Sequence, residues 1–143
     1  MTLNLTEKLL VNNPVRALVQ RFYEAPLLRE LGGRLDNARV LEAGCGHGVG
    51  VQIVLEQFGA GRVYGIDLDP RQVRRAGQRL AGKFEGRVVL ALGSVERLPF
   101  SDECFDAVFD FGMLHHVVEW QAGVAEIRRV TADEAERVPG TVF

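Results

Sequence analysis

The sequence predicts an α/β fold with a doubly wound, mostly parallel sheet. Three observations predict it. From residue 39 onward, short apolar runs of strand length alternate with segments of helical period. The third of those runs is apolar almost throughout, as expected of a strand covered on both faces. A glycine cluster follows the first run, where an open parallel sheet receives a ligand beyond its strand ends. Such alternation implies right-handed crossovers between the strands.

The segment before residue 36 reads as helix. Asn13 can cap it, and Pro14 suits the first helical position, where a missing N–H costs nothing. Val15, Leu18, Val19 and Phe22 follow helical spacing, Pro26 interrupts it, Leu27, Leu28 and Leu31 resume it, and Gly32-Gly33 ends it. One kinked helix or two short ones fit that pattern. Arg39-Val40-Leu41-Glu42-Ala43 is the first strand. Residues 51–58 are helical, with Val51, Val54, Leu55 and Phe58 on one face, and Gly59 and Gly61 close the helix. Residues 62–67 form the second strand. Asp69-Pro70 is a strong helix start, and Val73, Ala76 and Leu80 make the buried stripe that follows. Residues 87–92 and 105–111 are the third and fourth strands. Trp120, Val124, Ile127 and Val130 give one more helical stripe, with Trp120 expected in the core.

The chain has 143 residues, 47% hydrophobic and 25% charged, with a net charge of -2. That composition supports one core and excludes a disordered chain. No apolar run is long enough for a membrane span, and no basic surplus suggests a nucleic-acid partner. Cys45 and Cys104 cannot build a disulfide framework. The first thirteen residues are too polar for a signal peptide, so a cytoplasmic protein is expected.

The glycine loop reads Glu42-Ala43-Gly44-Cys45-Gly46-His47-Gly48-Val49-Gly50. Glycines permit a tight turn and a close approach of ligand to backbone, and the helix that follows offers free N–H groups. The spacing excludes a dinucleotide fingerprint, because the third glycine position falls on Val49, Val51 or Ile53 in the three possible frames. No Gly-Lys-Ser or Gly-Lys-Thr follows, so it is not a phosphate-binding Walker loop either. Asp67, closing the second strand, can accept both hydroxyls of a ribose, whereas Asp69 before a proline reads as a helix cap.

These residues resemble the class I S-adenosylmethionine-dependent methyltransferases. Val40 to Gly48 is similar to their first motif, and Gly65-Ile66-Asp67-Leu68-Asp69-Pro70 to their ribose motif. Gly93 to Phe100, Phe105-Asp106-Ala107-Val108, Leu114-His115-His116-Val117 and Glu126-Ile127-Arg128-Arg129-Val130 continue the match, roughly over residues 38–130. The subgroup resembled includes ubiquinone and menaquinone biosynthesis methyltransferases. The resemblance implies a Rossmann-like sheet of strand order 3-2-1-4, with S-adenosylmethionine as cofactor and S-adenosylhomocysteine as product. It also implies the site. Gly44, Gly46 and Gly48 would line the methionine and ribose, and Glu42 would order the loop and reach the amino group. Asp67 would hold the ribose diol and Leu68 would pack on adenine. Ser94 and Val95 would sit at the adenine edge, and Asp110 and Phe111 would border the methionine and the acceptor. Residues 1–35 would form a helical cap on a cofactor domain of residues 36–143, with Arg21 and Tyr23 read mainly as packing residues and lid contact as the lesser alternative.

Ser94 departs from the family's usual Asp. The larger departure is the end of the chain, where the family continues with a Pro-Gly turn, a fifth strand and an antiparallel hairpin. Here a stub of the fifth strand is expected around Pro139-Gly140-Thr141-Val142-Phe143, with no hairpin. A fragment, a degenerate product, or a homodimer pairing through the exposed sheet edge would each account for this.

Candidate general bases are His115, His116, His47 and Asp110, with His116 foremost, although histidines at that place in the subgroup are mostly structural. Adjacent histidines cannot easily share one ion, so no metal is expected. Cys45 reads as a small buried residue, and Arg71, Arg74, Arg75 and Arg79 as a solvated helical face. Motifs for methylation of nucleic-acid bases are missing. The expected function is methyl transfer to a small-molecule acceptor. The alternatives are a truncated, non-catalytic cofactor-binding module and, less favoured, a nicotinamide-dependent oxidoreductase.

Overall fold

The computed structural model describes residues 13–133. The N-terminal helix runs through Pro14–Val19 (α1), a π-helical turn at Gln20–Glu24, and Ala25–Gly32 (α2). Asn13 Oδ1 accepts the Val15 N–H at 2.9 Å and caps it. The two short α-helices are joined without a gap through the π turn, and Pro26 lies in the first turn of the second. The N–H of Ala25 reaches back five residues to the Gln20 carbonyl, and this widened turn absorbs the proline's missing donor. Gly33, with φ of 75°, ends the helix.

The strands are β1 (Arg39–Ala43), β2 (Arg62–Asp67), β3 (Val88–Leu92) and β4 (Ala107–Phe109), and the helices between and after them are α3 (Val49–Gln57), α4 (Pro70–Leu80) and α5 (Trp120–Val130). All strand pairs are parallel, in the order β3-β2-β1-β4. Glu42 pairs with Gly65 on one side and Phe109 on the other. Progress from β1 to β3 runs in one direction and β4 returns on the far side of β1, so the switch point lies at the C-terminal ends of β1 and β4.

Alternation along β1 feeds two cores. Val40 joins Val51, Val54, Leu55, Val63 and Leu80 under α3 and α4. Leu41 joins Ile66, Leu98, Phe105 and Val130 on the other face. There Tyr64, Phe100 and Phe105 form an edge-to-face trio, with centroids 4.9 to 6.0 Å apart. A third cluster, Ala25, Val49, Ile53 and Phe58, seats the N-terminal helix.

Three expectations are corrected. The fourth strand is three residues long, not 105–111. Phe105 instead forms a parallel bridge to Thr131, its N–H bound to the Val130 carbonyl at 3.0 Å and its carbonyl to the Ala132 N–H at 2.8 Å. Beyond Phe109 the chain leaves the sheet to form a turn. The expected stub at 139–143, like residues 1–12 of the expected cap, lies outside the described residues. β3 is an edge strand with Val89 and Leu92 exposed, so its apolar run does not report cover on both faces. Trp120 is 51% exposed rather than core. Gly123 brings α5 close to Leu114 and Val95, which seats the helix on Gly123, Ile127 and Val130 and leaves Trp120 and Val124 to one side.

Arg129 fastens α5 to the preceding loop. It donates to Glu126 at 2.7 Å and 2.9 Å, to the carbonyls of Leu98 (3.1 Å) and Phe100 (2.8 Å), and to Asp102 at 2.6 Å. Glu126 in turn accepts the Leu98 N–H at 2.7 Å. No helix among the described residues is long and apolar enough to cross a membrane.

Phe105 is buried in the aromatic trio and bridges both sheet segments, so Phe105→Ala should destabilise the fold by roughly 3–5 kcal/mol. Urea unfolding checks this, with a lower midpoint at unchanged slope.

Candidate functional site

The site is built at the C-terminal ends of β1, β2 and β4. β1 ends at Ala43 and the chain turns through Gly44, Gly46 and Gly48, all at positive φ (71°, 51° and 87°), before α3 begins. The three glycines answer different needs. A Cβ at Gly44 would run into the Met113 side chain. One at Gly48 would press on Ala76 and Leu80 of α4 at 3.1 Å. One at Gly46 would meet nothing within 4 Å. Gly48 is buried by helix packing, and the open face of the loop is at Gly46. Cys45 is buried beneath the turn, its N–H bound to the Ile66 carbonyl at 2.8 Å, and burial pushes its thiol pKa up, which suits a packing residue.

Asp67 ties the loop to β2. Its Oδ2 accepts the Gly46 N–H and its Oδ1 accepts the Asp69 N–H, both at 2.9 Å. Each oxygen keeps a lone pair for another donor. Burial raises the pKa of this carboxyl, while the N–H donors of Asp69 and Gly46 pull the other way. Asp69 caps α4 through the Arg71 N–H at 2.9 Å.

Glu42 lies on the central strand with 2% exposure. The Val51 N–H in the first turn of α3 donates to it. Gly50 is required there, since a Cβ would overlap the Glu42 carboxylate and crowd Phe111. The second oxygen, Oε2, is buried without a hydrogen-bond partner among the described residues. Burial holds this carboxyl well above the ordinary range, and the charges of Asp110 and Asp67 raise it further.

The other expected residues fall around this centre. Leu68 is 57% exposed, an apolar side chain standing beside the loop. Ser94 turns its hydroxyl to the Glu96 N–H at 3.2 Å. Val95 is buried, with its side chain against Gly123. Asp110 follows β4 and holds the next turn, its Oδ1 accepting the Met113 N–H (2.6 Å) and its Oδ2 the Leu114 N–H (3.0 Å). That turn, Leu114–His116, carries His116, half-buried, with its N–H on the Met113 carbonyl. The His115 side chain lies outside the described residues. Phe111 stacks on Phe109 at 5.6 Å, in the wall behind Gly50.

Sequence reasoning missed how the N-terminal helix reaches the site. Arg21 pairs with Glu56, and Tyr23 is 70% exposed. The contacts come from Arg16 and Gln20, whose side chains donate to the Phe111 carbonyl at 2.9 Å and 3.4 Å. Arg16 is braced by Glu24. No local signal marks this pairing, because its partners lie more than ninety positions apart and the acceptor is main chain.

A parallel sheet with a bare main-chain turn after β1, roped to a carboxylate closing β2, defines a domain for a nucleoside cofactor. Residues 41–136 match the family model described as methyltransferase domain, and the chain belongs to that family, the class I S-adenosylmethionine-dependent methyltransferases. S-adenosylmethionine is the cofactor of that family, which favours it over the nicotinamide alternative. The chain is 29% identical over 121 residues to the phthiotriol/phenolphthiotriol dimycocerosates methyltransferase of Mycobacterium tuberculosis, covering 83% of this chain and 42% of that protein. It is 30% identical over 119 residues to the malonyl-[acyl-carrier protein] O-methyltransferase of Halorhodospira halophila, covering 82% and 40%. The fold is that of a SAM-dependent methyltransferase from Aquifex aeolicus, with a TM-score of 0.75 at 21% identity over 92% of this chain and 69% of that one. The chain thus spans about two fifths of the length of the two enzymes it matches in sequence.

Glu42 stays protonated to higher pH in the fold than in the unfolded chain. The unfolded state therefore loses its proton first, and stability contributed by the neutral acid falls as pH rises above the unfolded value. Glu42→Gln should raise the melting temperature of the free protein at neutral pH by a few degrees, with the gain vanishing near pH 4, as scanning calorimetry across pH will read.

Proposed function

We propose that this domain binds S-adenosylmethionine over the Gly44–Gly48 turn and directs its methyl group to a small-molecule acceptor. The observation that carries the reading is the Asp67 carboxylate, bonded to the Gly46 N–H at 2.9 Å while each oxygen retains a lone pair. When bound, S-adenosylmethionine supplies an electrophilic methyl carbon.

The residues present fit that group. Asp67 accepts from the ribose hydroxyls, and its hold on Gly46 keeps the turn at the height the sugar needs. Gly46 leaves room for the ligand because its Cβ position is open. Glu42 Oε2 is a buried acceptor with no partner among the described residues, and it receives an ammonium donor or an ordered water that carries one. Glu42, Asp67 and Asp110 act on one another electrostatically, which makes the strand ends a favourable seat for a cation. Leu68 offers an apolar side chain to the adenine face, and Ser94 and the Val95 main chain lie at its edge. Gly44, Met113 and Phe111 border the methionine end. Gly48 supports the turn from behind.

On this reading the chemistry asks the protein for position more than for proton transfer. Helix 14–32 acts as a cap: Arg16 and Gln20 hold the Phe111 carbonyl, which keeps water from the wall beside Glu42. His116 serves as base where an acceptor must lose a proton; Asp110 shapes the turn that presents it. The two relatives are named for a phthiotriol/phenolphthiotriol dimycocerosate and for malonyl-[acyl-carrier protein], and these names support an acceptor that is not nucleic acid.

Asp67→Ala should weaken S-adenosylhomocysteine binding by roughly 2–4 kcal/mol, and Asp67→Asn by less, since it keeps one acceptor. Calorimetric titration checks this, alongside the melting temperature of each variant. Unchanged affinity in a folded Asp67→Ala protein refutes the site.

A further inference from the structure

We propose that the hollow between the glycine loop and α4, lined by His47, Arg75, Gln78 and Arg79, is a second site that binds a phosphate group, distinct from the cofactor site. The sequence reads the arginines of α4 as a solvated face, but it cannot show that His47 folds against them.

The helix is built against its own electrostatics. Its eleven residues include Arg71, Arg74, Arg75 and Arg79 and no acid. Arg71, Arg75 and Arg79 repeat every four positions on one face, where like charges repel. Arg71 also sits in the first turn, where the helix dipole disfavours a cation. Among the described residues, no carboxylate forms an ion pair with any of the four. This concentration of positive charge stands in a chain whose net charge is -2.

The pocket supplies the complementary geometry. Two guanidinium groups one helical turn apart give planar, forked donors, which match the oxygens of a phosphate better than lysines would. Gln78 adds a neutral donor. His47 lines the shallow hollow from the loop side, beside Gly48, which packs close to Ala76 and Leu80. Burial lowers the pKa of His47, and Arg79 and Arg75 lower it further, so the imidazole already senses that uncompensated charge. An anion seated between them would relieve it.

The test is a nuclear magnetic resonance titration of the intact chain with inorganic phosphate and with pyrophosphate, at constant ionic strength set by sodium chloride. Saturable shifts of the His47 ring and of the Arg75 and Arg79 side-chain signals are expected, with an upward move of the His47 pKa. They should persist with S-adenosylhomocysteine at saturation. The double variant Arg75→Gln with Arg79→Gln should bind about tenfold weaker or less well still. Arg74→Gln, on the same helix outside the hollow, should bind as the parent does. Shifts that never saturate, that chloride reproduces, or that the double variant retains would return the arginines to a merely solvated role. Loss of the shifts when S-adenosylhomocysteine is present would mean that the anion occupies the cofactor loop, and would equally overturn the second site. Stronger saturation by pyrophosphate than by phosphate would assign the site to a diphosphate ligand.

Discussion

Everything at the functional end of this molecule hangs from the Asp67 carboxylate. One side chain accepts the Gly46 N–H and the Asp69 N–H, each at 2.9 Å. The first bond fixes the height of the loop after β1 and the second starts α4, so two connections that leave different strands are set by one acid. A glycine-rich turn has little of its own to hold it in place, because three of its residues gain no side-chain packing from the ligand side. The carboxylate provides the missing constraint at a point where water also reaches.

Glu42 shows the opposite compromise. It is placed on the most buried strand, with one oxygen satisfied by the Val51 N–H and the other by nothing among the described residues. A fold selected for stability alone would not retain an acid there, since desolvating it raises its pKa and costs free energy at neutral pH. Its burial between β1 and the start of α3 also dictates a glycine at position 50 and places Phe111 against it. A local expense of this kind concentrates at sites that bind something.

Much of the fold was legible because parallel sheets write themselves in short apolar runs. Arg39–Ala43, Arg62–Asp67 and the start of α4 at Asp69-Pro70 stand where the pattern places them. The proximity of Asp67 to the glycine turn was legible too, from the spacing of two motifs at the ends of adjacent strands. Other features were not. The Pro26 position looks like a break, yet a π turn lets the helix continue, because a helix already packed through Ala25 gains more by widening than by ending. Trp120 has the periodicity of a core residue, but the close approach allowed by Gly123 rotates α5 away from it. β3 reads as doubly covered but is an edge.

By itself, then, the sequence determined the family, the strand order and the identity of the loop and its acid, because each follows from residues within one or two elements of each other and from motifs in a recognisable order. Only the tertiary structure decided which glycine faces open space, which helix residues reach the wall of the site, and where the buried oxygen of Glu42 goes unmatched. Arg16 and Gln20 meet the Phe111 carbonyl, and His47 meets Arg75 and Arg79, through packing between elements remote in the chain. Such contacts depend on the angle and depth at which helices settle on a sheet, and no local periodicity carries that information.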